Sequence, residues 1–324
     1  MKNRIIRLSS FLIGTALSFA TSMASAQEFP SRPIKLIVPF AAGSAVDSVG
    51  RILANELTGR LRTPVVVENR AGATGAIGSE SVAKAPADGY TLLVGTTGTH
   101  ATNPSIYPNL AYNPIRDFAP VGFVVSLSML IASYPGAPFR TLPELIDYAR
   151  ANPGKLSFAT TTAPGIVIGE SIKARAKLDI VYVPYKSSLG ALNDVMGGQL
   201  PLMVTDAGVG TPQIKAGKLR GIATTALKAS PLLPDVPPVA ATLPGFEIIT
   251  WFGMFAPANT PAPVVDKLAG ALQQTLQDPP IRDRMTQLGF ETRPMTPAQF
   301  QTFVREENER WAVWVKQFGI GAQP

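Results

Sequence analysis

The sequence predicts an α/β protein built from two similar-sized units, the second inserted into the first. Three observations predict it. Short apolar stretches bounded by turn residues alternate with stretches of helical periodicity, the mark of mostly parallel sheets flanked by helices. The alternation occurs twice along the chain. Extended segments near Val125 and Thr250 supply two crossings between the sets, which would act as a hinge. Residues 27–125 and 251–324 are therefore expected in one unit and residues 126–250 in the other.

The first set opens with a strand over Ile34–Pro39. Ala41-Ala42-Gly43-Ser44 then leads into a helix whose apolar residues, Val46, Val49, Ile52, Leu53 and Leu57, recur at helical spacing. A Val-rich strand at Pro64–Glu68, a Gly-rich stretch with a short helix ending near Lys84, and a strand at Thr91–Gly95 after the Asp88-Gly89 turn complete it. In the second set Val121–Val125 and Met129–Ser133 read as extended. Thr141 with Glu144 three residues on reads as a capping box. Strands follow at Leu156–Ala159, Ile180–Pro184, Leu202–Thr205 and Leu219–Thr224, with helices between them. The five prolines of Pro231–Pro244 exclude a helix there. The tail is helical, with Thr260-Pro261 and Thr296-Pro297 as start signals. Phe300, Phe303, Val304, Trp311, Trp314, Val315 and Phe318 form a stripe suited to packing on a core or, alternatively, to a partner.

Composition narrows the function classes. Lys2, Arg4 and Arg7 precede a short apolar run, and Ala24-Ser25-Ala26 is a small-x-small site, so a signal peptide cleaved after Ala26 is expected, with export to the periplasm. That leader holds three of the 29 basic residues and no acid, so 26 basic against 22 acidic residues leave the mature chain at +4. The excess is diffuse and predicts no nucleic-acid surface. With no Cys and one His, neither a disulfide nor a transition-metal site is expected, nor any cofactor.

The candidate binding residues lie where strands end. The Pro39–Asp47 loop joins a strand to a helix start, where free amides and the dipole favour an anion; the alternative is an ordinary turn capped by Ser44. Ligands of open α/β sheets bind outside such carboxyl ends. Thr96, Thr97 and Thr99 follow one strand and Thr160, Thr161 and Thr162 another, and these hydroxyls either bind a carboxylate or cap helices. His100 is either a ligand donor or a histidine bonded within its loop. Asp206 either accepts from an amine or hydroxyl on a ligand or caps the next helix. Enzyme-like patterns fail on context. Gly72-x-x-Gly75-x-x-Gly78 has the wrong first spacing for a dinucleotide loop and lacks the acid that should follow. Ser81-x-x-Lys84 has no companion motifs, and His100 has no nucleophile partner. A non-catalytic binding protein is therefore expected.

Several segments, in one order along essentially the whole mature chain, resemble the Bug-type extracytoplasmic receptors of tripartite tricarboxylate transporters. They include FPSRPIKLIVPFAAGSAVD, VVVENRAGATGAIG, ADGYTLLVGTTGTHATNPSIYP, VYVPYKSSLGALNDVMGGQLPLM and WFGMFAPANTPAPVV. The resemblance implies a two-domain periplasmic-binding-protein (Venus-flytrap) fold with two hinge crossovers. It implies a monomer that captures a small organic carboxylate (an aliphatic di- or tricarboxylate, an amino acid or an aromatic acid) and delivers it to the membrane subunits of a transporter. A sensor co-receptor and, further off, an enzyme using the same cleft are the alternatives. By the same resemblance, Phe40, Ala41, Gly43, Ser44 and Asp47 belong to a first ligand loop, Thr97, Thr99 and His100 to a second, and Thr161 and Ala163 to a third from the other unit. Tyr185, Lys186 and Asp206 complete the implied set. The cleft loops depart from the family pattern. Ala41-Ala42 replaces paired prolines, Ser44 a glycine, Ala163-Pro164 an Asn-Gly, and Ser187 a glycine. Smaller and less rigid loops are expected to admit a bulkier acid, such as an aromatic one.

Overall fold

The computed structural model describes residues 28–185, 188–230 and 232–321. The expected leader, Lys186 and Ser187 lie outside the described residues. The first sheet comprises β1 (Ile34–Val38), β2 (Val65–Asn69), β3 (Thr91–Thr96), β4 (Phe118–Leu127), β10 (Thr250–Pro257) and β11 (Phe290–Thr292). Their spatial order is β11-β4-β10-β3-β1-β2. The second comprises β5 (Met129–Ser133), β6 (Leu156–Thr160), β7 (Ile180–Pro184), β8 (Leu202–Asp206) and β9 (Arg220–Thr224), in the order β7-β6-β8-β5-β9. Parallel pairing of β1 with β2 and β3, and of β6 with β7 and β8, sets the common direction. Reversed β10 and β11 in one sheet and β5 in the other allow the chain to pass between them.

Helices α1 (Ala45–Leu61), α8 (Ala262–Gln277) and α9 (Pro279–Gln287) cover one face of the first sheet. Their apolar stripes bury Val49, Leu53, Leu57, Leu268 and Leu272 against Ile34, Leu36, Val38 and Met254. The opposite face, including Ile37, Leu93 and Phe255, receives α2 (Ala76–Ala83) and α10 (Pro297–Gln317). In α10, Phe300, Val304, Trp311 and Val315 are buried, so the stripe packs on the core as its spacing predicts. Gly253 of β10 makes this possible, since a Cβ there would lie 2.1 Å from the Phe300 ring. In the second sheet, α4 (Leu142–Ala151) and α5 (Ala163–Ala176) bury Leu142, Leu145 and Ile172 with Phe158, Leu202 and Val204. The other face takes α6 (Ser188–Met196) and α7 (Ala207–Lys215); the four-residue α3 (Asn103–Ile106) belongs to the first unit.

Some helix starts differ from expectation. Thr296 and Gln299 form a full reciprocal capping box. Thr141 Oγ1 accepts from the Glu144 amide, but Glu144 reaches the amide of Arg140, one residue beyond the box position. Thr260 does not cap α8; Pro261 holds that place and the Thr260 hydroxyl turns back to the Pro257 carbonyl at 2.7 Å. Helix α9 and strand β11 were not anticipated. α9 buries only Ile281 and Met285, too few to mark a period, and β11 has three residues.

The two passages between sheets lie side by side. β4 runs into β5 through Ser128 alone, and Thr250 of β10 pairs with Leu127. On the far side of Ser128, the Thr225 amide donates to the Met129 carbonyl and the Met129 amide to Thr225 Oγ1, both at 2.9 Å.

Candidate functional site

A cavity of about 620 Å³ opens between the units at the carboxyl ends of β1, β3 and β8. Phe40, Val46, Thr97 and Trp251 line it from the first unit, Pro164, Asp206 and Val209 from the second. A smaller chamber of about 240 Å³ adjoins it, and Phe40, Gly98, Thr162 and Pro164 line both.

The loop after β1 is held from behind by one buried carboxylate. Asp47 Oδ2 accepts from the Gly43 amide and from Arg51 Nε, each at 2.9 Å. Asn69 Nδ2 donates to Asp47 Oδ1 at 2.9 Å and to the Phe40 carbonyl at 3.0 Å. Burial pushes the Asp47 carboxyl upward, but the Arg51 hydrogen bond, the Gly43 amide, Asn69 and the Arg51 charge outweigh it and hold the pKa below the ordinary aspartate value. Gly43 has φ +83°, a conformation glycine adopts without the Cβ penalty. Ser44 is the N-cap of α1, its Oγ accepting from the Asp47 amide at 3.2 Å. Phe40 and Gly43 line the larger cavity; Ala41, Ser44 and Asp47 are not among its lining residues. The amides of Ala45 and Val46, at N1 and N2, have no intrahelical acceptor, and both residues line the cavity.

After β3 the chain makes a π-turn over Gly98–Thr102. Thr97 lines the larger cavity, and its Oγ1 accepts from the Trp251 amide at 2.7 Å, tying β3 to the return strand. The turn directs Thr99 and His100 away from the cleft, and both are fully buried. The His100 ring stacks on Phe255 with 3.9 Å between ring centres and is flanked by Phe118 and Tyr112. Its Nδ1 lies 2.8 Å from Thr99 Oγ1, and its Nε2 has no partner among the described residues. Burial pushes its pKa down to about 3, so the ring is neutral at physiological pH. Tyr112, whose hydroxyl donates to the Thr99 carbonyl at 2.7 Å, is pushed up to about 12 by burial.

From the second unit, Thr161 and Ala163 line the smaller chamber. Thr162 caps α5 by accepting from the Gly165 amide at 3.2 Å. Asp206 lines the larger cavity at the N-cap of α7, yet its side chain makes no capping bond. Burial pushes its carboxyl above the ordinary aspartate value. It is the one charged residue among the described residues lining that cavity. Tyr185 lies apart from the cavity lining and donates to Asp194 Oδ2. Lys186 lies outside the described residues. Sequence reasoning did not single out Trp251, Phe252 and Phe290, which reach the cleft from β10 and β11. Nor did it single out Thr74, Thr102, Asn103 and Tyr107 of the smaller chamber. The polar character of the run from Thr99 to Asn103 was the available signal. Among the described residues, no cluster of His, Cys, Asp or Glu could hold a metal ion, and no helix is long and apolar enough to cross a membrane.

Two α/β units, joined by paired crossings and walling one cavity at their strand ends, are the architecture of a solute-binding receptor. The sequence pattern of the tripartite tricarboxylate transporter family receptor matches residues 49–320. The chain belongs to that family. It is 32% identical to Protein BugT of Bordetella pertussis over 320 residues, covering 98% of each chain. The structure of R. palustris Rpa4515 with adipate is 33% identical, covering 91% of this chain and 99% of that one with a TM-score of 0.78. MatC (Rpa3494) from Rhodopseudomonas palustris, with bound malate, is also 33% identical, covering 89% of this chain and 100% of that one with a TM-score of 0.72.

Proposed function

We propose that this protein is a periplasmic receptor that captures a small organic carboxylate between its two units and delivers it to the membrane subunits of a transporter. The observation that carries the reading is the cavity of about 620 Å³ walled by both units and served by neutral donors and helix starts. A ligand touching both walls stabilises the closed arrangement relative to the open one, and that difference drives closure. The paired crossings at Leu127–Met129 and at Thr250 form the hinge, with residues 126–250 moving as the inserted domain. Relatives that hold adipate and malate support an organic acid as cargo. Neutral donors suffice for capture. Hydrogen bonds to a charged group contribute about 1.5–3 kcal/mol each, and micromolar affinity needs about −8 kcal/mol.

The test is a thermal-shift screen of residues 27–324 against amino acids, aliphatic di- and tricarboxylates and aromatic acids, with calorimetry on each hit. A ligand at 100 times its Kd stabilises by about 2.7 kcal/mol, so a cargo acid gives a clear shift. Absence of any shift, before and after refolding to strip retained ligand, refutes the carboxylate reading. Capture of permease subunits from membranes by the liganded form tests delivery; capture of a sensor kinase instead refutes it.

A further inference from the structure

The two chambers differ in what they offer a ligand. We propose that the smaller one is a second subsite that takes the uncharged, apolar end of the cargo, so that this receptor captures an acid with an aromatic or similarly bulky hydrocarbon body whose carboxylate stays in the larger chamber. The inference rests on the carboxylate reading above and adds the ligand's orientation and class.

The accessible wall of the smaller chamber is mostly apolar. Phe40, Ile106 and Ile320 form it from the first unit, Ala163 and Pro164 from the second. Its polar groups are turned on one another. Thr74 Oγ1 donates to the Tyr107 hydroxyl at 3.1 Å, and Asn103 Nδ2 donates to the Thr74 carbonyl at 3.1 Å. Thr161 Oγ1 pairs with Ser188 Oγ at 2.9 Å, and Thr162 Oγ1 accepts from the Gly165 amide at 3.2 Å. The Thr102 hydroxyl is sealed behind the wall. Polar groups that are already paired gain little from a ligand, whereas hydrocarbon is drawn out of water in proportion to the area it buries.

Size and access agree. An apolar cavity of about 150 Å³ is enough to hold benzene. This chamber measures about 240 Å³. It meets the larger one at Phe40, Gly98, Thr162 and Pro164, which line both. The Gly-rich segment finds its use here. Gly75, at φ +87°, lies against the Phe40 ring, and a Cβ there would come within 3.2 Å of it. The missing side chain leaves room for an aromatic ring where the chambers join.

The distribution of charge places the carboxylate. Among the described residues, no Lys or Arg lines either chamber. The larger one has the amides of Ala45 and Val46, free at the start of the 17-residue α1. In the smaller one, Thr162 occupies the Gly165 amide and Pro164 has none, which leaves Ala163 alone among the first three amides of α5. A carboxylate moved into the smaller chamber would shed its water and find less to replace it. A long diacid would have to put its second charge either there or beside Asp206.

The experiment is calorimetry of residues 27–324 with three matched probes: butanoate, 4-phenylbutanoate and 4-(4-carboxyphenyl)butanoate. The phenyl group should tighten binding roughly tenfold or more. The added carboxylate should undo that gain. Ile106→Trp, which fills the smaller chamber, should weaken 4-phenylbutanoate roughly tenfold more than it weakens butanoate. Equal affinity for butanoate and 4-phenylbutanoate, a second carboxylate tolerated without loss, or a phenyl gain kept in Ile106→Trp overturns the subsite while leaving carboxylate binding intact. Should Ile106→Trp fail to fold, the three titrations of the unaltered protein decide alone. Absence of binding by every acid, here and in the wider screen, overturns the carboxylate reading instead.

Discussion

His100 makes the acid stability of this fold calculable. Its ring is fully buried against Phe255, with a pKa of about 3 in the folded protein. In the unfolded chain the same ring titrates near about 6.5. Between these values the unfolded state holds a proton that the folded state lacks, so the contribution is complete above the unfolded pKa and is lost as pH falls toward the folded one. The slope is about 1.4 kcal/mol per pH unit, and the full window of about 3.5 units amounts to about 5 kcal/mol. Other groups titrate in the same range, so the measurement must be differential. Urea unfolding of the wild type and of His100→Gln at about pH 7, about pH 5.5 and about pH 4.5 isolates the histidine. The stability advantage of the wild type should shrink by about 1.4 kcal/mol between the two lower values. A constant offset between the two proteins across all three pH values would show that the ring does not titrate as its burial demands.

Three further outcomes are expected. Asp47→Ala takes the acceptor from Asn69 Nδ2 and from the exposed Gly43 amide, so chemical denaturation should show a loss of about 1–3 kcal/mol, little of it from the half-exposed Arg51 ion pair. Gly253→Ala forces a methyl group into the Phe300 ring, and calorimetric melting should report a loss of about 1–3 kcal/mol from overpacking. Glu307, buried in α10, accepts from the indole nitrogens of Trp251 and Trp311 at 3.0 and 3.2 Å. Burial pushes its pKa up despite Arg310, Trp251 and Trp311, so its contribution is present below the unfolded value and lost as pH rises through the folded one. Glu307→Gln should therefore gain on the wild type as pH rises from about 4 to about 7, whereas Glu307→Ala should lose about 1–3 kcal/mol for each indole left unpaired, both read by melting temperature.

Much of the fold was legible because its elements announce themselves locally. The run Ile34–Val38 followed by a Gly-Ser turn and Val49, Ile52, Leu53, Leu57 admits one reading, as does the α10 stripe. α9 and β11 were not legible because few of their residues are buried and their pairing is long-range; Phe290 is paired with Leu127. The site was legible at the level of strand ends and illegible at the level of single hydroxyls. Thr97 and Thr99 look equivalent in sequence, yet the π-turn sends one to the cavity wall and the other into the core. It places Thr102 and Asn103 on the smaller chamber by the same geometry. No simple periodicity encodes a π-turn, since its five-residue spacing departs from both strand and helix repeats. Asp47 shows the related limit. A carboxylate in a binding loop looks like a ligand contact, but here it is spent on the Gly43 amide, Arg51 and Asn69.

The placement of β10 has a consequence for the timing of assembly during synthesis. β10 lies between β3 and β4 in the first sheet, yet more than a hundred residues separate it from either in the chain. Until Pro257 has been made, β3 and β4 have no common neighbour and the first sheet has a gap at its middle. The second sheet has all its strands once Thr224 is made. A nascent chain therefore carries a complete second sheet while β4 has no partner and the first sheet extends no further than β3-β1-β2, so the unit begun first is completed last. A chain ending at Ile249 should accordingly show cooperative melting of the second unit, and protected amides in β4 of that truncated chain would contradict this order.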